Sequence, residues 1–316
     1  MGEKKIIAVA GATGAQGGGL ARAILSDPES EYVVRAITRN VKSDKAQALS
    51  TLGAEVVYAD LDDPASLEEA FNGAYGAFCV TNFWEHFSPE KELIQAGNLA
   101  LAARKTRVRH VIWSTLEDTR QRVTLGDQRM PTLMGKYKVP HFDAKGEANG
   151  IFRKFDVPTT FLHTSFYWDN FIHFGMGPKQ DPDGNILLTL PMGNRKLPGI
   201  AAEDIGRCAY GVYRKGADLL NKNVGIAGEH LTGSEMANQM SEALGRTVKY
   251  NPVSFDTYRG FGFPGADDLG NMFQFKHDFE ADFCGARSVE ASRALNPNLQ
   301  TFAKWLAVNA YRIPLE

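Results

Sequence analysis

Gly11, Gly14 and Gly17 stand at G-x-x-G-x-x-G spacing in the stretch Gly11-Ala12-Thr13-Gly14-Ala15-Gln16-Gly17. An apolar run at 6–10 precedes them and a helically spaced stretch at 20–25 follows. In a strand-turn-helix of this kind the first glycine permits the tight turn. The second lets the backbone approach a pyrophosphate, and the third lets helix and strand pack closely. The helix N-terminus adds free N–H groups and the positive end of a dipole. Glycine-rich turns also serve purely structural ends. The context favours dinucleotide chemistry here, because this is the first strand and helix of a series with five more strands behind it.

A second group of residues lies just past the next strand, 32–37. About 20 residues beyond such glycines an NAD site places Asp or Glu on the ribose 2′-hydroxyl. Arg39 occupies that place, with Lys42 just beyond. A guanidinium grips a 2′-phosphate through two parallel hydrogen bonds, whereas a carboxylate repels it. The expected cofactor is therefore NADP(H). The alternative is that Arg39 and Lys42 are ordinary surface charges. Asp60, ending the third strand, has two open readings: acceptor for the adenine amino group, or cap of the following turn.

Reacting centres of open α/β sheets lie at the C-terminal ends of the strands. Those ends carry Thr81-Asn82-Phe83-Trp84, Ser114-Thr115 and His163-Thr164-Ser165-Phe166-Tyr167. Short-chain dehydrogenases put a Ser after strand five and Tyr-x-x-x-Lys on the next helix. None of the 10 tyrosines here has a lysine four places on. His141-Phe142-Asp143-Ala144-Lys145 stands in that position instead, with His141 and Lys145 on one helical face. Lys145 is the candidate to hold the nicotinamide ribose. His141 is either a proton donor that titrates near neutrality or a packing residue at a helix start after Pro140. Ser114 completes the catalytic candidates.

Strands at 6–10, 32–37, 54–59, 75–80, 108–113 and 159–162 alternate with helices at 20–25, 64–71, 89–104 and 141–155. That rhythm predicts an α/β fold with a Rossmann-type doubly wound parallel sheet. After residue 165 the rhythm breaks. Helices at 203–213, 233–244, 267–279 and 299–309 predict a smaller α+β C-terminal lobe. The expected division is 1–165 as nucleotide-binding core, with 200–230 packing back on it, and 166–316 as substrate or partner lobe. A net charge of −2 over 316 residues argues against a nucleic-acid or anionic-membrane surface. No apolar run reaches the roughly 18 residues of a membrane span. Cys79, Cys208 and Cys284 lie far apart, so no metal site or disulfide framework is expected. Scattered thiols point to the cytoplasm, with the nucleus as second compartment. The polar stretch 120–129 reads as a solvated loop.

Taken in order, Gly11-Ala12-Thr13-Gly14-Ala15-Gln16-Gly17-Gly18, Thr38-Arg39-Asn40, Val80-Thr81-Asn82-Phe83-Trp84-Glu85, His141-Phe142-Asp143-Ala144-Lys145-Gly146-Glu147 and Gly262-Phe263-Pro264-Gly265-Ala266 resemble the NmrA-like proteins, atypical short-chain dehydrogenase/reductases. The resemblance spans nearly the whole chain and is strongest to the NADP(H)-sensor type. That type lacks the dehydrogenase tyrosine and reports the NADPH/NADP+ ratio through conformational change and protein partners. The resemblance implies nucleotide contacts from Gly11, Ala12, Thr13, Gly14, Ala15, Gln16, Gly17, Arg39, Lys42, Asp60, Leu61, Thr81, Asn82 and Phe83. It implies that Lys145, Tyr167, Trp168, Asp169, Asn170 and Phe171 close over the nicotinamide end. One departure is Ile94, where the family usually has a cofactor-side lysine; Lys91 lies a turn earlier. Isoflavone-reductase-like and triphenylmethane-reductase-like relatives are NADPH reductases that use a lysine without the tyrosine. NADPH-dependent reduction of a small aromatic or carbonyl substrate is thus the alternative function. A regulator implies a protein partner and an enzyme a small-molecule substrate; a homodimer fits either.

Overall fold

The near-continuous apolar runs of the first half become strands covered on both faces. In the computed structural model, which describes residues 3–315, six strands run parallel. They are β1 (Lys5–Val9), β2 (Tyr32–Thr38), β3 (Glu55–Tyr58), β4 (Gly76–Cys79), β5 (His110–Thr115) and β6 (Thr159–His163). The seven-stranded sheet has the order Asn223–Gly225, β6, β5, β4, β1, β2, β3. β1 therefore has β2 on one side and β4 on the other. The winding reverses there, and the crevice beyond the C-terminal ends of β1 and β4 is where such a sheet takes a ligand.

Five helices connect these strands: α1 (Ala15–Leu25), α2 (Asp44–Thr51), α3 (Pro64–Phe71), α4 (Pro89–Lys105) and α5 (Pro140–Lys154). The side chains of Ser43, Asp63 and Ser88 cap α2, α3 and α4 by accepting from the amides of Ala46, Ala65 and Lys91. Each satisfies a donor that the first helical turn leaves open. Pro64 and Pro89 start their helices, where a missing N–H costs nothing. Under one face, Trp113 of β5 stacks on Phe152 of α5 with centroids 5.0 Å apart, in a cluster with Phe71, Leu99 and Phe161. The later helix Ala202–Lys215 packs on α1 backbone to backbone. A Cβ on Gly206 would stand 2.0 Å from the Leu20 nitrogen, and one on Gly19 2.6 Å from the Glu203 oxygen.

His110 opens β5 with its ring buried, Nε2 2.8 Å from Thr160 Oγ1 and the ring edge on Tyr213. Burial pushes its pKa down from 6.5 to about 4. Between those values the unfolded chain holds the extra proton and the folded one does not. The contribution is thus complete above pH 6.5 and is lost as pH falls toward 4. Urea titrations at pH 7 and pH 4.5 should show wild type losing about 2–3 kcal/mol more than His110→Asn over that interval. Equal losses would show that His110 is not held neutral.

The chain up to Asp118, His141–Thr164 and Glu203–Val224 form one unit; Thr119–Pro140, Ser165–Ala202 and the chain from Gly225 form a second. The second unit has two three-stranded sheets. One orders Glu229–Leu231, Leu197–Ile200, Phe166–Tyr167; the other Val248–Pro252, Ile186–Leu190, Lys179–Gln180. Helices such as Gly233–Leu244 and Ala266–Asp278 cover them. The division at 165 needs one correction: Thr119–Pro140 belongs to the second unit. The cause is the side-chain amides of helix Ala266–Asp278. Asn271 donates to the Pro131 and Lys138 carbonyls at 2.9 and 2.5 Å, and Gln274 to the Arg129 carbonyl at 2.7 Å. Buried Lys138 turns its ammonium inward to the Asp127 and Met130 carbonyls, both at 2.7 Å. The stretch read as a solvated loop is thus tied down at its C-terminal end, while most of its residues are exposed.

Candidate functional site

The glycine loop lies between the end of β1 and the start of α1. Gly11 has φ 62°, a left-handed conformation that admits glycine at little cost. Gly17 meets the loop closely: a Cβ there would stand 2.5 Å from the Gly11 oxygen and 2.8 Å from the Ala10 oxygen. Gly14 is the N-cap of α1 and supplies no side-chain acceptor, and the first turn holds no acidic residue. The helix end therefore presents its amides and dipole to an outside anion. Gly11, Gly14 and Ala15 are exposed, Thr13 and Gln16 half-buried, and Ala12 and Gly17 buried. This cradle has the shape and the polarity a pyrophosphate needs.

Arg39 and Lys42 sit exposed beyond β2. Arg39 is already engaged. Its guanidinium makes two parallel bonds to Glu85, Nη1 to Oε1 at 2.6 Å and Nη2 to Oε2 at 3.1 Å. The Glu85 hydrogen bond raises the Arg39 pKa, and the same bond lowers that of Glu85. Asp60 Oδ1 accepts from the Asp62 amide at 2.9 Å, which is the turn-capping arrangement. The Leu61 carbonyl accepts from Asn98 at 2.8 Å.

At the other end of the crevice, Thr81 follows β4, Glu92 lies in the first turn of α4, and Lys145 projects from α5. Lys145 Nζ donates to Glu92 Oε1 at 2.6 Å, to Thr81 Oγ1 at 2.8 Å and to the Thr81 carbonyl at 3.2 Å. These acceptors use all three ammonium protons. The Thr81 hydroxyl also donates to Glu92 Oε1 in a short bond. The Lys145 side chain is 12% exposed and the Glu92 side chain 0%. The ammonium also lies 5.1 Å from the Trp113 ring centroid. The Ser88 amide donates to His86 Nδ1, which leaves Nε2 as the protonated nitrogen of the neutral ring. That nitrogen faces Glu92 Oε2 at 3.7 Å, beyond hydrogen-bond reach, and neither atom has another hydrogen-bond partner.

Thr81, Lys145, Asn82 and Phe83 thus come together, with Asn82 exposed at the start of the turn Phe83–Glu85. The His141 ring is buried among aromatic neighbours, 4.8 Å from Trp84 and 5.9 Å from Phe83 by centroid. Ser114 is buried within β5. The remaining candidates fall in the second unit. There Trp168 packs on Phe302 at 5.2 Å and Phe171 on Phe166 at 5.3 Å, both buried. Asp169 accepts from the Ala202 amide, while Tyr167 and Asn170 are half-buried. Glu92 was not anticipated as a site residue, and Glu85 entered only as the last residue of the motif at 80–85. Glu92 shares the buried stripe of α4 with Gln95, Ala96, Leu99 and Ala103. A carboxylate on such a stripe was the signal that could have found it. Among the described residues there is no group of His, Cys, Asp and Glu that could hold a metal, and no helix long and apolar enough to cross a membrane.

A family model described as the NmrA-like family matches residues 3–308. The chain is 28% identical to the "NmrA-like family domain-containing oxidoreductase cpsB" of Aspergillus campestris, covering 98% of this chain and 96% of that one. In fold it is similar to NmrA, a negative transcriptional regulator, solved in complex with NADP. The TM-score is 0.79 at 22% identity, with 97% of this chain and 95% of that one covered. It is also similar to the Citrobacter sp. triphenylmethane reductase complexed with NADP(H), with a TM-score of 0.75, 23% identity, and 96% and 99% covered.

Proposed function

Because the chain belongs to the NmrA-like family, we propose that it binds NADP(H) and acts as a regulatory protein whose conformation reports the NADPH/NADP+ ratio. Its glycine cradle, uncapped helix end and Arg39 fit the pyrophosphate and the 2′-phosphate of that cofactor. Structural relatives solved with NADP or NADP(H) support a nicotinamide dinucleotide, and because NmrA is also solved with NAD, the choice of the phosphorylated form rests on Arg39. The regulatory half of the proposal is carried by Lys145. It is the residue a reductase of this class would lay on the nicotinamide ribose, and all three of its protons are held by Thr81 and Glu92. A cofactor must draw Lys145 out of that set or bind beside it, so occupancy and local conformation are coupled. Buried His141 supplies packing in this reading and no proton.

A sensor requires unequal affinities of NADPH and NADP+ for two conformations. Calorimetric titration of the nucleotide-free chain with NADPH, NADP+ and NADH, with limited proteolysis of each complex, tests this. The expected result is binding of both phosphorylated forms, about tenfold apart, with different cleavage patterns. Equal affinities with one shared pattern would remove the basis for ratio sensing.

The second reading is an NADPH-dependent reductase, favoured by curated relatives named as oxidoreductases. When bound, the cofactor would supply hydride, and Lys145 would orient the ribose. Turnover in a screen of small aromatic and carbonyl compounds, lost in a folded Lys145→Ala variant, would establish it.

A further inference from the structure

We propose that Glu85 is a specificity-determining residue of the nucleotide site, an internal anion that fills the Arg39 fork until a 2′-phosphate replaces it. The inference rests on the NADP(H) reading above. A carboxylate and a phosphate offer a guanidinium the same pair of oxygens, so the two compete for one fork. The observed bonds, 2.6 and 3.1 Å, already satisfy it. The Arg39 and Glu85 side chains are 60% and 47% exposed. A pair that open to water is weak and exchangeable. A 2′-phosphate brings more negative charge than one carboxylate and can take the fork. A ribose 2′-hydroxyl cannot. The unphosphorylated cofactor therefore leaves the pair closed and gains nothing from Arg39.

The exchange reaches further than the adenosine end. Glu85 closes the short turn Phe83–Glu85, which begins right after Asn82 and Thr81. The same turn carries Trp84, whose ring lies 4.8 Å from His141. His86, next in sequence, faces Glu92 Oε2 at 3.7 Å. Releasing Glu85 thus frees the segment that connects the phosphate end of the crevice to the Thr81, Glu92 and Lys145 cluster.

Adenosine 2′,5′-bisphosphate and AMP, which lack nicotinamide, are the probes. Calorimetry on the full chain should show wild type preferring the bisphosphate. Glu85→Gln and Glu85→Ala should tighten the bisphosphate about three- to tenfold and change AMP by less than about twofold. The bisphosphate, but not AMP, should change tryptophan emission in wild type, and the change should vanish in Trp84→Phe and in Glu85→Ala. If both Glu85 variants bind the bisphosphate no tighter than wild type while Arg39→Ala abolishes the preference, the exchange is wrong and the NADP(H) reading stands. If Arg39→Ala leaves the preference intact, the assignment of the 2′-phosphate to Arg39 fails and the exchange fails with it.

Discussion

Arg39→Asp is expected to weaken NADPH binding roughly 100- to 1,000-fold and NADH binding less than about threefold. Two contributions act in the same direction. The substitution removes a two-pronged charged hydrogen bond, and such bonds contribute about 1.5–3 kcal/mol each. It also reverses the sign of the guanidinium that offsets Glu85 and the fields of Asp60 and Asp62, leaving Lys91, which bridges Asp62 at 2.9 Å, and exposed Lys42 as cations near that end. Asp60 and Asp62 both act on Arg39 through their fields, and Glu85 loses its partner in the same step. The 2′-phosphate would then meet an added carboxylate in place of the fork that holds it. NADH carries a hydroxyl at that position and is indifferent to most of this. Lys42 is exposed, its amide donating to Asn40 Oδ1 at 3.1 Å and its ammonium open to solvent screening, so Lys42→Ala should cost only a few-fold and fade with added salt. Calorimetry at one fixed ionic strength reads all three. Equal losses for NADPH and NADH on Arg39→Asp would sink the 2′-phosphate assignment.

The parts of this molecule that a reader can obtain from sequence are those fixed by local chemistry. Gly11, Gly14 and Gly17 had to mark a turn with close backbone approach, and the apolar runs of β1 to β6 had to lie in a sheet covered on both faces. Proline after Asp63 and Ser88 placed two helix starts. The helix Asp44–Thr51 gives little periodicity to read, because it is eight residues long with only Ala46 and Leu49 buried, and its start carries Ser43 and Asp44 but no proline. The second-unit strands are two to five residues long and give too few alternations to read. The tie between 119–140 and helix Ala266–Asp278 depends on Asn271 and Gln274, more than 130 positions away. No local pattern encodes such a contact.

The candidate site shows the same division. Arg39 and Lys145 were legible because each stands at a position that strand and helix counting defines. Their partners Glu85 and Glu92 were not, because an acidic residue near a helix start reads first as a favourable charge for the dipole. Glu92 meets that expectation and still serves another purpose, since the same turn aims its side chain at α5. The two arginine and lysine residues with the clearest functional positions are each held by a carboxylate from the single segment 81–92. Binding at either end therefore has to negotiate with the same stretch of chain, which gives the regulatory reading a physical element to act on.

The buried pair of Lys145 and Glu92 leads to the second large effect. Removing one member of a buried ion pair costs about 3–5 kcal/mol, because the other charge stays behind without compensation. Glu92→Leu should accordingly lower stability by about 3 kcal/mol, leaving Lys145 with only Thr81 and the face of Trp113. Lys145→Met in that background removes the stranded ammonium and should recover most of the loss, since apolar replacements of whole buried pairs are often close to neutral. The coupling between the two positions should therefore exceed about 2 kcal/mol in a double-mutant cycle read by urea titration. Nucleotide affinity divides differently. Lys145→Met should weaken NADPH about tenfold by removing a ribose donor. Glu92→Gln keeps the shape of the carboxylate, loosens its hold on Lys145, and should leave NADPH bound as tightly as in wild type or tighter. Additive stability losses would mean that the pair is not a unit. Weaker NADPH binding in Glu92→Gln than in Lys145→Met would mean that the carboxylate itself, and not the lysine it restrains, is the ligand.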